Sequence, residues 1–155
     1  LVGGAAVNLH TGSYRPTDID MTARLDEEDR SRFVDLGFEH THGDHFLFVF
    51  DDGEVWPVEF PDSQVDGEVD VIRLTDEDLL TVIRLESLIV DRLLQATDGT
   101  GVTFEEAVRL CVAVYEKADW AWVAREIDRR HGLEPGLGLS RVHQRVVSRT
   151  RSLLG

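Results

Sequence analysis

LVGGAAVNLHTGSYRPTDIDM, residues 1–21, is the stretch that decides the fold of this chain. Its first two residues are typical of the end of a strand and Ala5–His10 of a short helix, so Gly3 and Gly4 fall where a strand turns into a helix. Backbone N–H groups at such a turn, with no side chains in the way, can hold a phosphate. We therefore expect an anion-binding turn at this glycine pair.

Two carboxylates, Asp18 and Asp20, stand close together at the end of the same stretch. Because side chains alternate along a strand, both carboxylates point to one side of it. The two negative charges repel each other unless a cation lies between them. Carboxylate oxygens, with positions left open for phosphates, are the ligands that magnesium prefers in proteins. A phosphate-binding turn beside a magnesium pair predicts a nucleoside triphosphate as ligand.

With Val2-Gly3-Gly4 followed by Asp18-Ile19-Asp20, the stretch resembles the nucleotidyltransferase superfamily that includes DNA polymerase beta. More narrowly, it is similar to small stand-alone enzymes grouped with the AbiEii-type toxins. The resemblance implies an α+β fold, in which a mixed central β-sheet is flanked by helices and followed by a C-terminal helical segment. It also implies a third metal-binding carboxylate on a later strand.

Glu59 is the residue that we assign to this third carboxylate. It lies inside the apolar run VWPVEF, which forms a predicted hairpin with Phe46–Phe50 around an Asp-Gly turn. A carboxylate within an apolar strand needs an explanation, since unpaired burial is costly. Asp62, just beyond the strand, is the reserve candidate, and a half-exposed strand with Glu59 in water is the alternative.

The resemblance implies a reaction as well as a fold. Asp18, Asp20 and Glu59 would hold two magnesium ions, and a nucleoside monophosphate would pass from an NTP to a hydroxyl of RNA or protein, as in a toxin–antitoxin pair. Gly3, Gly4, Ser13 and Arg15 would bind the nucleotide, although a loop-bracing role suits Ser13 and Arg15 equally. The alternative is a catalytically degenerate domain that binds nucleotide or a partner, as an antitoxin or regulator would.

Apolar periodicity divides the rest of the chain. We predict a catalytic core over residues 1–75 and a helical part over residues 76–155, packed on the core as one compact unit. A long helix is expected to begin at Thr75, where Thr75 and Asp78 have the spacing of a capping box, and to run to Leu93. Since the chain begins inside the motif, we expect that part of the first strand precedes Leu1.

The charge is strongly negative, with 30 acidic and 16 basic residues and a net charge of −14. Lys117 is the single lysine, and such a surface resembles that of proteins from salt-loving organisms; a GC-rich genome that favours arginine codons is the alternative. The exception is the predicted last helix, Ser140–Leu154, which carries arginines and no carboxylate. This helix is expected to bind RNA, an antitoxin or a second subunit, or to contact the protein's own acidic helices.

Two further features suggest where the protein works and which partners are excluded. Cys111 lies in an apolar run and is predicted to be an inert buried thiol, as is usual in a reducing cytoplasm. No apolar run is long enough to span a bilayer, so no membrane partner is expected. Glu39–His45, EHTHGDH, offers zinc ligands but has the composition of an ordinary polar loop, which is the interpretation that we favour.

Overall fold

The structure is a computed structural model that describes all residues from Leu1 to Gly155. It divides into two compact units, a first unit of Leu1–Ile83 and a second unit of Arg84–Gly155. The strands are β1 (Ile19–Thr22), β2 (Glu39–His42), β3 (His45–Val49), β4 (Val55–Asp62), β5 (Val69–Arg73) and β6 (Leu79–Ile83). The helices are α1 (Gly3–Thr11), α2 (Glu27–Asp35), α3 (Leu85–Gln95), α4 (Gly101–Ala113), α5 (Trp120–Leu133) and α6 (Leu139–Leu154).

The first unit is built on a mixed four-stranded sheet in the order β1-β4-β3-β2. Strand β1 is parallel to β4, whereas β4, β3 and β2 are joined as antiparallel neighbours. The predicted hairpin of β3 and β4 is confirmed, with Val49 opposite Val55 across its turn. The parallel pair brings β1, which follows the glycine turn, directly beside the strand that carries Glu59.

One face of this sheet is apolar because every second strand residue is aromatic or aliphatic. Phe46, Val58 and Phe60 are buried there, and Phe33 of α2 packs against them. The rings of Phe33 and Phe46 stack with their centroids 4.9 Å apart. Since alternate residues point to opposite faces, the residues between these core positions must lie on the other face of the sheet.

Val2 is extended, although neither it nor Leu1 belongs to a strand as had been predicted. The N–H of Val2 donates to the carbonyl of Asp20 at 2.9 Å, and the N–H of Ile83 donates to the carbonyl of Leu1 at 2.9 Å. Helix α1 begins directly after them and ends at Gly12, which adopts a left-handed conformation with φ of 64°. The strand-to-helix turn at Gly3 therefore lies next to the middle of β1.

The prediction of one helix from Thr75 to Leu93 is wrong in its first half. Thr75 and Asp78 do bond to each other, with the N–H of Asp78 donating to Thr75 Oγ1 at 3.0 Å, but this bond closes the turn of an antiparallel hairpin of β5 and β6. The residues after the turn include the β-branched run Thr81-Val82-Ile83, which favours a strand. The helix begins only at Leu85.

A short strand also replaces part of the predicted loop at Glu39–His45. Residues Glu39–His42 form β2, which pairs with β3 through a two-residue turn at Gly43 and Asp44. The strand escaped prediction because it is polar and exposed along its whole length and so lacks an apolar alternation. The Gly-Asp step, with Gly43 at φ of 54°, was the available signal for a hairpin.

The second unit consists of α3–α6, whose buried positions are mostly aliphatic. Leu88, Leu93 and Val146 are fully buried. Cys111 is buried among them, and burial raises the pKa of its thiol to about 12, so the prediction of an inert thiol is confirmed. The predicted boundary after residue 75 falls inside the β5–β6 hairpin, and the packing of the helical part on the core stays a prediction. None of the helices has the length and apolar character needed to cross a bilayer.

Candidate active site on the polar face of the sheet

A row of four polar residues crosses the face of the sheet opposite the phenylalanine core. Asp20 on β1 is paired with Glu59 on β4, Glu59 is paired with His45 on β3, and His45 is paired with His42 on β2. Paired residues on neighbouring strands present their side chains to the same face. The register therefore places the predicted second and third carboxylates side by side, and extends the row with two histidines.

The histidines contact Glu59 and each other. Nδ1 of His45 lies 3.4 Å from Oε1 of Glu59, with the two side chains 40 % and 35 % exposed. The ring of His42 stacks on that of His45, with centroids 4.4 Å apart and planes inclined by 11°. Glu59 is thus neither buried without a partner nor simply immersed in water, since one of its oxygens is within reach of an imidazole nitrogen.

Gly3 packs tightly against the carboxylate of Asp20. A Cβ atom built on Gly3 would lie 1.8 Å from Oδ2 of Asp20, which is impossible without movement, and the φ of Gly3 is +62°. Gly4 is also constrained, since a Cβ atom there would lie 2.8 Å from Cε1 of Tyr14. The glycine pair is required for close packing of the turn against Asp20 and Tyr14; its contact with a phosphate stays a prediction.

Asp18 lies immediately before β1, two residues from Asp20, and is half-buried. Pro16, which leads into it, is buried and fixes the approach of the chain. The reserve candidate Asp62 is exposed at the end of β4, and its Oδ1 accepts the N–H of Ser63 at 2.6 Å. Glu59 pairs with Asp20, whereas Asp62 pairs with Thr22, and the choice of Glu59 as third carboxylate stays a prediction.

The remaining predicted nucleotide ligands lie in the loop between α1 and β1. Arg15 is 90 % exposed, and its guanidinium points to Glu54 in the β3–β4 turn, with an N–O distance of 3.9 Å. Ser13 is exposed, and its N–H donates to Oγ1 of Thr11 at 3.2 Å. Neither residue therefore joins the row of Asp20 and Glu59, and their role towards nucleotide stays a prediction.

The donor chemistry of this face fits a hard cation such as magnesium. Asp18, Asp20 and Glu59 offer oxygen ligands only, and Gly3 leaves room for the Asp20 carboxylate beside the turn. No group of three or more histidine, cysteine, aspartate and glutamate side chains in the structure has the arrangement of a metal site. Asp18, Asp20 and Glu59 are therefore compatible with magnesium in donor chemistry but are not gathered into a three-ligand group, and the ligand set stays a prediction.

Comparison with known proteins supports the fold. No protein-family model matches the chain, and no curated protein matches it in sequence. Among solved structures, it is similar to an antigenic nucleotidyltransferase-like protein from Paracoccidioides brasiliensis, with a TM-score of 0.56 and 14 % identity, over 91 % of this chain and 81 % of that chain. The predicted fold class, a mixed sheet flanked by helices and followed by helices, is confirmed as nucleotidyltransferase-like.

His45 and His42 are the residues of this face that we did not predict as part of the site. The sequence places them in a polar loop, and only the strand register brings them beside Glu59. A pairing shifted by one residue would put Phe46 opposite Glu59 and turn His45 to the core face. The number of residues in the β3–β4 turn sets this register, and the sequence allows more than one choice.

Proposed function

We propose that the protein is a magnesium-dependent nucleotidyltransferase that moves a nucleoside monophosphate from an NTP to a hydroxyl group. The observation that carries the proposal is the pairing of Asp20 with Glu59 on adjacent parallel strands, with Gly3 packed against the Asp20 carboxylate. The nucleotidyltransferase-like fold adds support. The narrower assignment to toxin-like enzymes rests on the sequence motif alone.

In this reaction the acceptor hydroxyl oxygen attacks the α-phosphorus of the NTP. The new oxygen–phosphorus bond forms as the bond to the β-phosphate breaks, pyrophosphate leaves, and the hydroxyl proton is lost. When bound by Asp18, Asp20 and Glu59, magnesium would neutralise the phosphates and lower the pKa of the hydroxyl.

The residues of the chain act mainly by holding charge in place. Strands β1 and β4 hold Asp20 and Glu59 at paired backbone positions, which supports a ligand shared by the two carboxylates. The imidazole of His45, 3.4 Å from Glu59 Oε1, restricts the rotation of that carboxylate. A catalytic group displaced by about 1 Å can lose a hundredfold in rate, so this restriction has kinetic value.

The charge distribution favours a protein hydroxyl over an RNA hydroxyl as acceptor. The first unit holds 20 acidic and 5 basic residues, which is a net charge of −15 on the unit that carries the candidate active site. A surface of this sign repels a polyanion and attracts basic segments of a protein. Transfer of the label to RNA rather than to protein would mean that RNA supplies the acceptor hydroxyl.

The second candidate function is a degenerate domain that binds nucleotide or a partner without turnover. It is favoured by one observation: Arg15, a predicted nucleotide ligand, is directed to Glu54 in the β3–β4 turn rather than to the row of Asp20 and Glu59. In this case the protein would bind an NTP in the presence of magnesium but transfer no label.

The test is a transfer assay with the full-length chain, each NTP labelled on the α-phosphate, magnesium and a cell extract, at low and high salt. Label should pass to a macromolecule and disappear in Asp20→Asn and in Glu59→Gln. Asp62→Asn is the matched control, since it removes a carboxylate from the same strand but outside the row, and it should retain transfer. Magnesium-dependent NTP binding without transfer would favour the degenerate domain, and absence of both would refute the proposal.

A further inference from the structure

A cavity of about 540 Å³ lies within the second unit, between α5 and α6. Its wall is formed in part by Tyr115 and Trp120 on one side and by His143, Ser148, Thr150 and Arg151 on the other. Binding sites for small molecules usually have volumes of about 300 to 1,000 Å³. The cavity is therefore large enough for a ligand of several rings or of one ring with a polar extension.

Thr150 is a polar residue in an otherwise apolar stripe. The buried positions of α6 are Leu139, Val142, Val146 and Thr150, which follow the spacing of one helix face. Thr150 is only 1 % exposed, and its hydroxyl is a buried side-chain polar atom without a hydrogen-bond partner. Because this hydroxyl is closed to solvent, it offers no contact to a molecule in the cavity, and recognition falls to the other residues of the lining.

The opposite wall offers a fixed aromatic surface. The rings of Tyr115 and Trp120 have centroids 5.6 Å apart and planes inclined by 41°. The indole N–H of Trp120 donates to the carbonyl of Tyr115 at 2.7 Å, which holds the indole in place. A pre-oriented indole is a good surface for stacking a planar heterocycle.

The charges at the cavity favour an anion. Its lining includes Arg151 and no aspartate or glutamate, in contrast to the strongly acidic chain as a whole. Burial lowers the pKa of His143, against an opposing effect of Asp128, so the imidazole can donate or accept a hydrogen bond in its neutral form. Arginine binds phosphate through two parallel hydrogen bonds, which fixes the position of that group as well as its charge.

We propose that this cavity binds a nucleoside monophosphate, with the base stacked on Trp120 and the phosphate on Arg151. The volume, the aromatic wall and the cation each match one part of such a molecule. The proposal does not depend on the transfer reaction, because no residue of the candidate active site contributes to the cavity.

The test is calorimetric titration of the full chain with AMP, GMP, CMP and UMP in EDTA, which removes any magnesium-dependent binding. At least one nucleotide should bind, and the matching nucleoside and ribose 5-phosphate should each bind about tenfold or more weakly, since each lacks one of the recognised groups. Ribose 5-phosphate binding as tightly as the nucleotide would overturn the stacking role. Absence of binding by all four nucleotides at millimolar concentration would overturn the proposal.

Two arginine variants of α6 test whether the nucleotide binds in this cavity. Arg151→Gln should weaken nucleotide binding by about tenfold, as expected for loss of a charge-assisted contact. Arg149→Gln is the control, since it removes an exposed arginine of the same helix that does not line the cavity, and binding should not change. Equal losses in both variants, or no loss in Arg151→Gln, would mean that the nucleotide binds elsewhere.

Asp20→Asn, which alters only the first unit, should leave the titration unchanged.

Discussion

Gly3 is the residue whose substitution tests the candidate active site most directly. A methyl group there would lie 1.8 Å from Oδ2 of Asp20, so Gly3→Ala must displace either the turn or the carboxylate. We expect nucleotidyl transfer to fall by about a hundredfold, the loss that a 1 Å misplacement of a catalytic group can cause. The measurement is the rate of label transfer at saturating NTP, together with magnesium-dependent NTP binding.

Gly12→Ala is the matched control for this substitution. Gly12 ends the same helix with φ of +64°, close to the +62° of Gly3, but an added Cβ would have no neighbour within 4 Å. Both variants should lose about 1 to 2 kcal/mol of unfolding free energy from the left-handed conformation. If Gly12→Ala reduced transfer as much as Gly3→Ala, backbone strain alone would explain the loss and the contact with Asp20 would be irrelevant.

The candidate site shows which residues can be found from sequence alone. Asp18 and Asp20 were predictable from their spacing, because alternation along a strand is a local property. Glu59 was selected as a carboxylate within an apolar strand, together with the resemblance, which implies a third carboxylate on a later strand. His45 was not, because its place beside Glu59 depends on strand register, which a single residue added to a turn would change.

At the scale of elements, the same local bonds can begin different structures. Thr75 and Asp78 were expected to cap a helix, and one bond of the expected capping box forms, from the Asp78 N–H to the Thr75 hydroxyl, yet the chain continues as the β5–β6 hairpin. Side chains of this kind stabilise helix starts and turns alike, so the residues after the turn determine which of the two forms. Here the pairing of Val71 with Thr81 across the two strands favours the hairpin over the helix, and this pairing is not visible in the residues of the turn itself.

An arginine-bound carboxylate on α5 leads to a pH-dependent prediction. Glu126 accepts hydrogen bonds from Arg129 at 2.7 Å and from Arg130 at 2.8 Å. These contacts lower the pKa of Glu126 from 4.5 to about 2, with the hydrogen bond from Arg129 as the largest cause. A pKa lowered in the folded state means that the ionised carboxylate stabilises the fold above the unfolded pKa. This stabilisation is lost as the pH falls towards the folded pKa.

Glu126→Gln should therefore lower the unfolding free energy at pH 7 by about 1 to 2 kcal/mol, allowing for solvent screening. The difference from the unmodified protein should shrink progressively as the pH falls from about 5 towards 2. This difference in unfolding free energy is measured by urea unfolding at several pH values, with the helical signal in circular dichroism as the readout. Glu105→Gln, an exposed position on α4 outside the ion pairs, should show no comparable trend, and a cost of Glu126→Gln that did not vary with pH would contradict the assignment.

At the scale of the whole molecule, a motif of twenty-one residues was enough to predict the fold class, because the motif resembles that of the nucleotidyltransferase superfamily and the resemblance implies the fold. The division of the chain was harder to predict. The boundary between the two units lies at residues 83 and 84, after β6, and β6 had been assigned to a helix. The predicted division after residue 75 rested on that helix and stays a prediction.

The two units differ greatly in charge, and this difference gives the last prediction. The first unit has a net charge of −15, from 20 acidic and 5 basic residues, whereas the second has +1, from 10 acidic and 11 basic residues. Self-repulsion among like charges opposes folding, and it is screened as the Debye length falls from about 10 Å at 0.1 M salt to about 3 Å at 1 M. Salt should therefore stabilise the first unit more than the second.

Hydrogen exchange followed by mass spectrometry, in 0.1 M and 1 M potassium chloride, measures this stabilisation peptide by peptide. Protection from exchange should rise within residues 1–83 and change little within residues 84–155. An equal rise in both units would point to a general salting-out effect, and no rise in the first would mean that its carboxylates are already compensated within the fold.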